Sequence, residues 1–289
     1  MLHGIVGLLA HARATLVAAA LALHLVGLII TGERWRVVIA AMGSRVSLAR
    51  ATLINLAGIF VRNATPTTGL GGDASRIALL RAEGVPLAQA TASFAYVRLS
   101  EMLPLAVLVG LSTPAVLRAI ARSSALIAGA GVAIVVGLAA GWTSRGSRRG
   151  GLVDLWQRTE QIRITRAAML AAVFYATLAQ IETVARLIVV AAAFGITLTV
   201  QQAATVTVMS IVGGFVPTIG SLGAIDGSLV AGLMLFGANA QEAVAVTLVG
   251  RAISYGVSTA AGALAFAFLG GRGILRIFNE HKTNTAAAG

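Results

Sequence analysis

Five long stretches of the chain are apolar and almost free of charge, and they constrain its fold more than any other feature. They cover residues 14–31, 87–111, 124–142, 167–196 and 243–269. A helix needs about 20 mostly apolar residues to cross the roughly 30 Å hydrocarbon core of a bilayer. Only 11% of the whole chain is charged, against about 25% in soluble domains. The sequence therefore predicts an all-α, polytopic integral membrane protein, which we expect in the plasma (inner) membrane of a prokaryote, and it excludes a soluble globular protein.

Two further apolar regions, residues 47–83 and 201–236, are interrupted by proline, glycine and aspartate. Because proline removes a backbone donor and glycine favours non-helical dihedral angles, each region is predicted to form two short helices joined by an irregular turn. Such backbone survives at membrane depth only inside protein or beside a wet cavity. We therefore predict two re-entrant hairpins, with two tilted full spans as the alternative for the second. The broken-helix turns are predicted at Pro66, Gly71, Gly72 and Asp73, and at Pro217, Gly220, Gly223 and Asp226.

Landmarks in the two halves recur in the same order at an offset of about 150 residues. The matched pairs are Pro66 with Pro217, Asp73 with Asp226, Gly84 with Gly237, Ala90 with Ala243 and Arg98 with Arg251, while Glu33 and Arg36 are matched with Glu182 and Arg186. Weak internal symmetry is typical of repeat-built transporters. We predict one membrane domain over residues 1–289, with repeats at about 14–111 and 167–270, a connecting span and basic loop at 112–166, and a tail at 271–289.

Arginine-rich segments set the expected orientation, because cytoplasmic loops carry an excess of Lys and Arg. The loop at 143–166 carries six arginines and the tail is also basic, so both are expected on the cytoplasmic side. Counting crossings backwards places the connection at 33–50 inside and the N-terminus outside. The two repeats would then be inverted, which is the architecture of alternating-access carriers with a binding site between the repeats.

Five charged residues lie inside the predicted spans, where a lipid-exposed charge costs about 2.5–3.5 kcal/mol at a helix centre. Arg98 and Glu101 are three residues apart, and Glu182 and Arg186 are four apart. Each pair shares a helix face and is expected to form an ion pair, either to hold the repeats together or to serve a ligand. Arg251 has no acidic residue within four positions, so it needs a distant carboxylate or a ligand anion, of which phosphate is favoured.

The first break surrounds irregular backbone with arginines and hydroxyl groups, and we predict an anion site there. A half-helix that begins near Asp73 would direct free backbone donors and the positive end of its dipole at the anion. Asp73 and Asp226 are interpreted first as N-caps, with a coupling-ion or proton role as the alternative. The other predicted contacts at the first break are Arg62, Thr67, Gly69 and Arg76.

Other kinds of chemistry lack a supporting pattern. The chain has no cysteine and its four histidines are scattered, so no metal site and no cysteine nucleophile are expected. Residues 69–74 fit a loose dinucleotide fingerprint, but no strand precedes them, so no nucleotide cofactor is expected. The net charge of +12 comes from arginines in short loops between apolar stretches, which favours anionic lipid over nucleic acid as a partner.

The order of these motifs resembles that of the lysylphosphatidylglycerol synthase transmembrane family, also called flippase-like, over about residues 10–272. The family includes the N-terminal membrane domain of the multiple peptide resistance factor. The resemblance implies movement of an aminoacylated or otherwise modified lipid between leaflets, with Arg62, Asn63, Arg76, Arg98 and Arg251 at the head group. The motifs are Arg62-Asn63-x-x-Pro66 with its glycines and Arg76, Arg98-x-x-Glu101, and Pro217-x-x-Gly220-x-x-Gly223 followed by Ala243 and Arg251.

Two departures limit what the resemblance implies. Bifunctional relatives carry a soluble aminoacyl-transfer domain, whereas this sequence ends about 20 residues after the last predicted span, so lipid aminoacylation is not expected of it. The second break has Ser221, Leu222 and Asp226 where the family pattern leads through glycines to a glutamate, so a carboxylate role there is not implied.

We expect a flippase-like protein that binds and translocates an anionic or aminoacylated lipid head group, and no enzyme, because no catalytic motif is found. One alternative is a membrane-embedded transferase that acts on a lipid-linked sugar or aminoacyl donor. It would need an acid or base among Asp73, Glu101, Glu182 and Asp226. The other alternative is a non-catalytic membrane subunit that docks a separate lipid-modifying enzyme.

Overall fold

The computed structural model describes residues 2–65, 70–122, 164–214 and 223–270, and these residues form helices joined by short connections. The helices are α1 (Leu2–His11), α2 (Ala14–Ala41), α3 (Leu48–Ala64), α4 (Leu70–Ala82), α5 (Leu87–Arg122), α6 (Arg166–Ala193), α7 (Val200–Gly213), α8 (Ala224–Leu235), α9 (Ala240–Arg251) and α10 (Ser258–Phe268), with the π-helical segment Ala252–Val257 between the last two.

Within this part of the chain, four helical stretches are long and apolar enough to cross a membrane. They are Ala14–Ala41, Leu87–Ser112, Arg166–Ala193 and Ala240–Phe268. They coincide with four of the predicted spans and confirm the all-α membrane fold. The fifth predicted span, at 124–142, lies outside the described residues, as do most of the basic loop and the tail.

Two helices are longer than predicted. Helix α2 continues to Ala41, so the connection expected at 33–50 is reduced to residues 42–47. The charges that suggested a loop are compatible with a helix because they pair along it: Arg36 Nε donates to Glu33 Oε2 at 2.6 Å. Helix α5 continues to Arg122, so the boundary predicted after residue 111 falls inside a helix.

Each interrupted region forms two short helices that pack against each other across the break. Helices α3 and α4 have 17 and 13 residues, and α7 and α8 have 14 and 12. At 1.5 Å per residue the longest of them extends about 26 Å, less than the roughly 30 Å of hydrocarbon that a span must cross. These lengths are those expected of hairpins that enter the bilayer and return, and the re-entrant path stays a prediction.

Both breaks end earlier than predicted, because the second helix of each pair begins before some of the residues expected in the turn. Gly71, Gly72 and Asp73 belong to the first turn of α4, and Asp226 belongs to the first turn of α8. Glycine stands inside α4 because the neighbouring helix is close: a Cβ on Gly72 would lie 2.5 Å from the Gly58 carbonyl oxygen. Of the break glycines that the structure describes, Gly71, Gly72 and Gly223, the last alone has a positive φ, 84°, just before α8. Pro66, Thr67, Gly69, Pro217 and Gly220 lie outside the described residues.

The second half repeats the element order of the first. Helices α2 and α6 both have 28 residues, and their first residues, Ala14 and Arg166, are 152 positions apart. Each is followed by a positive-φ glycine and then by a hydroxyl N-cap. At this offset Thr31 corresponds to Thr183 and Arg34 to Arg186. Arg34 therefore occupies the position that the sequence comparison gave to Arg36.

Contacts between helices follow the same correspondence. Helix α2 packs against α6 at the centre, and the short pairs flank this contact. Helix α3 packs against α10, the last span of the other half, and α7 likewise packs against α5. In each half, the first helix of the broken pair therefore packs against the closing span of the other half, and side chains from both halves meet around α2 and α6.

Candidate functional site

A polar cavity of about 240 Å³ lies between α2, α3, α4 and α5 of the first half and α6 of the second. Its described lining carries five arginines, three carboxylates and one histidine. With that histidine neutral, the lining has a surplus of two positive charges. We name it the arginine cavity; its charged residues are Arg34, Arg62, Arg76, Arg98, Arg186, Asp73, Glu101 and Glu182.

Helical spacing explains how α2 and α5 supply much of this lining. His24, Thr31 and Arg34 follow one another at intervals of seven and three residues, so they lie on one face of α2. Arg98 and Glu101 lie on one face of α5 for the same reason. The remaining faces of both helices carry mostly apolar side chains, many of them exposed on the outside of the bundle as lipid-facing residues are.

Alternating charges form a continuous network along one wall of the cavity. Arg34 Nη2 donates to Glu101 Oε1 at 2.7 Å, and Arg98 Nη1 donates to Glu101 Oε2 at 3.1 Å. Arg98 Nη2 also donates to Asp73 Oδ2 at 3.3 Å, while Arg76 Nη1 donates to Asp73 Oδ1 at 2.6 Å. All four carboxylate oxygens therefore accept an arginine, and three arginines share two negative charges.

Arg62 stands apart from this network. It lines the arginine cavity from α3, is exposed, and makes no hydrogen bond or ion pair with any described residue. The neighbouring carboxylate oxygens of Asp73 and Glu101 are already occupied by other arginines. The guanidinium of Arg62 is thus available to an anion.

The opposite wall joins α2, α6 and α10. Arg186 Nε donates to Glu182 Oε1 at 2.8 Å, and His24 Nδ1 lies 4.0 Å from the same oxygen. The other ring nitrogen of His24 is 2.7 Å from Ser258 Oγ. Gly27 leaves the space for the carboxylate, because a Cβ there would lie 2.8 Å from Glu182 Cδ. This wall holds a buried acid together with an arginine and a histidine.

A second cavity, of about 190 Å³, lies on the other side of Arg186 and is lined by Arg251. Arg251 Nε lies 2.8 Å from Asp226 Oδ1, so the distant carboxylate that Arg251 needs comes from α8. The other oxygen of Asp226 accepts the Gly223 N–H at 2.9 Å. The repeat comparison matched Asp73 with Asp226 and Arg98 with Arg251. The structure pairs Asp73 with Arg98 and Asp226 with Arg251, and each pair joins the second short helix to the following span.

The predicted head-group residues do not form one site. Arg62, Arg76 and Arg98 line the arginine cavity, whereas Arg251 lines the second cavity. Asn63 is buried and its Nδ2 donates to Thr259 Oγ1 at 2.8 Å, so it contacts α10 instead of the arginine cavity. Thr67 and Gly69 lie outside the described residues.

Neither aspartate is the N-cap of its helix. Asp226 is the third residue of α8, and its Oδ2 accepts the N–H of the N-cap residue Gly223. Asp73 is not an N-cap: α4 begins three residues earlier, at Leu70, and both Asp73 oxygens accept arginines. Burial explains the difference, because Asp73 is 8% exposed beside two arginines and a buried carboxylate needs charged partners.

Sequence reasoning missed Arg34, which the structure places at one end of the charge network, paired with Glu101. The predicted first span ended at residue 31, so Arg34 was assigned to a loop. Arg34 lies at helical spacing from Gly27 and Thr31, so it belongs to the same small and polar face of α2. That periodicity was the signal in the sequence that could have identified Arg34.

A family model described as "Lysylphosphatidylglycerol synthase TM region" matches residues 2–262. The matched range contains both cavities and all four candidate spans within its limits, apart from the last six residues of the fourth. No curated protein and no solved structure matches the chain.

Proposed function

We propose that this chain, which belongs to the lysylphosphatidylglycerol synthase transmembrane family, is a flippase-like carrier. Membership of this family makes it a membrane domain related to lipid modification or translocation, acting at membrane lipids. Its proposed ligand is an anionic or aminoacylated lipid head group that enters the arginine cavity while the acyl chains stay in the bilayer. Its proposed location is the plasma membrane of a prokaryote.

The surplus of positive charge in the arginine cavity carries the proposal. The carboxylates of the network are fully engaged by arginines, so they offer no free oxygen to a further cation. Arg62 has no partner among the described residues. A phosphate would relieve this surplus, because guanidinium groups bind phosphate oxygens through short, charge-assisted and often bidentate hydrogen bonds.

The size and the second wall of the cavity favour a head group over a whole lipid. A volume of about 240 Å³ is below the roughly 300–1,000 Å³ of sites that enclose drug-sized ligands. Glu182 faces the same space from α6, opposite Arg62 and Arg98. A head group with a phosphate at one end and an ammonium at the other would meet complementary charges on the two walls.

Matched contacts of the two halves support a carrier built from inverted repeats. The first helix of each broken pair packs against the last span of the other half, and an equivalent Asp–Arg pair joins the second short helix of each half to the following span. Inverted repeats that rock about a site between them expose it to one side of the membrane and then to the other. In this arrangement the basic loop and the tail face the cytoplasm.

Leaflet exchange in proteoliposomes tests the proposal. We expect fluorescent phosphatidylglycerol and lysylphosphatidylglycerol to exchange well above the protein-free rate, as followed by quenching of the outer leaflet. Phosphatidylcholine is the control, because its zwitterionic head group is neither anionic nor aminoacylated. Exchange of the first two lipids at the protein-free rate would contradict the carrier function.

A further inference from the structure

The cavity beside Arg251 has a lining unlike that of the arginine cavity. It lies among α6, α7, α8 and α9, and its described lining contains no carboxylate. We name it the hydroxyl cavity, because its polar residues are two arginines and a set of threonines and serines. Those on which the following steps depend are Arg186, Arg251, Thr207, Thr247 and Ser254.

Two of its residues carry buried polar atoms without a hydrogen-bond partner in the described structure. Thr247 is 6% exposed and its Oγ1 is unsatisfied. The Nη2 atom of Arg251 is also buried and unsatisfied, and Nε lies close to Asp226 without the geometry of a hydrogen bond. An unsatisfied buried donor costs about 1–3 kcal/mol, and more when it is charged. A ligand with several acceptor oxygens would satisfy both residues together.

Comparison by position shows what the two cavities share and where they differ. Arg34 and Arg98 of the arginine cavity correspond to Arg186 and Arg251 of the hydroxyl cavity. Glu101, however, corresponds to Ser254, because these two residues are separated by the same number of positions as Arg98 and Arg251. The hydroxyl cavity therefore keeps the cations and replaces a network acid by a hydroxyl. Its chemistry suits a phosphate, and among its described lining it has no acid for an ammonium.

A shared wall connects the two cavities. Thr183 and Arg186 line both of them. Arg186 is held on the side of the arginine cavity by Glu182, at 2.8 Å. A phosphate that leaves Arg62 and Arg98 would meet the same guanidinium before it reaches Arg251.

We propose that the hydroxyl cavity is a second anion subsite, in which Thr247, Arg251 and Arg186 bind the phosphate of a lipid head group. This inference rests on the proposed function for the identity of the ligand. The subsite takes the phosphate alone, whereas the arginine cavity accommodates both the phosphate and a positively charged end of the head group.

Binding stoichiometry in detergent tests the subsite without requiring transport. Wild-type protein is titrated with inorganic phosphate and, separately, with dioctanoyl phosphatidylglycerol, and we expect two sites per chain with at least one of them. Two sites with both probes indicate that free phosphate suffices, and two sites with the lipid alone indicate a requirement for the glycerol head group. A single site with each probe would overturn the proposal.

Thr247→Val identifies which cavity holds the second site. Because a hydroxyl that bonds a charged ligand is lost, we expect that site to weaken about tenfold or more, while Thr247→Ser keeps wild-type binding. Thr205→Val is the matched control, since Thr205 is also buried but lies on α7 and donates to the Gln201 carbonyl outside both cavities. Wild-type stoichiometry and affinity in Thr247→Val, with its melting temperature unchanged, would overturn the assignment. Absent leaflet exchange with two intact sites would instead contradict only the carrier function.

Discussion

Replacement of Asp73 by alanine is expected to lower the free energy of unfolding by about 3–5 kcal/mol, the cost of breaking a buried ion pair from one side. Asp73 is 8% exposed, and its two oxygens accept Arg76 at 2.6 Å and Arg98 at 3.3 Å. Arg76 is itself only 5% exposed. Without the Asp73 carboxylate, the guanidinium groups of Arg76 and Arg98 would lie close to each other and to Arg62. Glu101 would then be the acid left to offset their charges.

Arg76→Leu is the matched control for Asp73→Ala. Asp73 would keep Arg98, and leucine is the residue that stands at the corresponding position, Leu229, beside the Asp226–Arg251 pair. We expect Arg76→Leu to cost less than half as much as Asp73→Ala, as measured by thermal unfolding in detergent followed by circular dichroism. Equal melting temperatures for the two variants, or a wild-type melting temperature for Asp73→Ala, would show that Asp73 does not hold the network together.

The second large effect is expected for Arg62→Ala, and it concerns transport instead of stability. Arg62 lines the arginine cavity without a described partner, so its removal leaves no buried carboxylate unpaired. A hydrogen bond to a charged group contributes about 1.5–3 kcal/mol, which corresponds to a loss of about 10- to 150-fold in head-group affinity. We expect leaflet exchange at low lipid concentration to fall by this factor while the melting temperature stays within about 1 °C of wild type, as for a surface substitution.

Arg81→Ala separates this effect from a general loss of positive charge. Arg81 lies exposed in the last turn of α4 and does not line the arginine cavity. Its replacement removes the same charge from the chain and should leave exchange unchanged. Equal exchange rates in Arg62→Ala and Arg81→Ala, with both proteins folded, would mean that Arg62 does not contact the transported lipid.

Local patterns in the sequence predicted the features that depend on one helix at a time. The span positions, the two breaks and the pairs Arg98–Glu101 and Glu182–Arg186 follow from apolar length and from spacings of three or four residues. The ordered motifs also identified the family correctly. These signals sit within a few residues of one another, so they do not depend on how distant helices pack.

Contacts between distant helices were beyond the same reasoning. Arg34 meets Glu101 from 67 positions away, and Asn63 meets Thr259 from 196 positions away. Asn63 was assigned to the head group together with Arg62, and helical spacing could not separate them, because adjacent residues can line one cavity, as Arg34 and Trp35 do. The separation needed the packing of α3 against α10, where Asn63 donates to Thr259.

Entry of an anionic head group into the arginine cavity is tested most directly by its protection of a cysteine placed there. The chain has no native cysteine, and Ile59 is a half-buried apolar residue of the cavity wall. In nanodiscs, neutral N-ethylmaleimide should modify Ile59→Cys several-fold more slowly when phosphatidylglycerol replaces phosphatidylcholine, while Ala82→Cys, exposed at the end of α4, reacts equally in both lipids. Modification of Ile59→Cys at the same rate in both lipids would contradict head-group binding in the cavity.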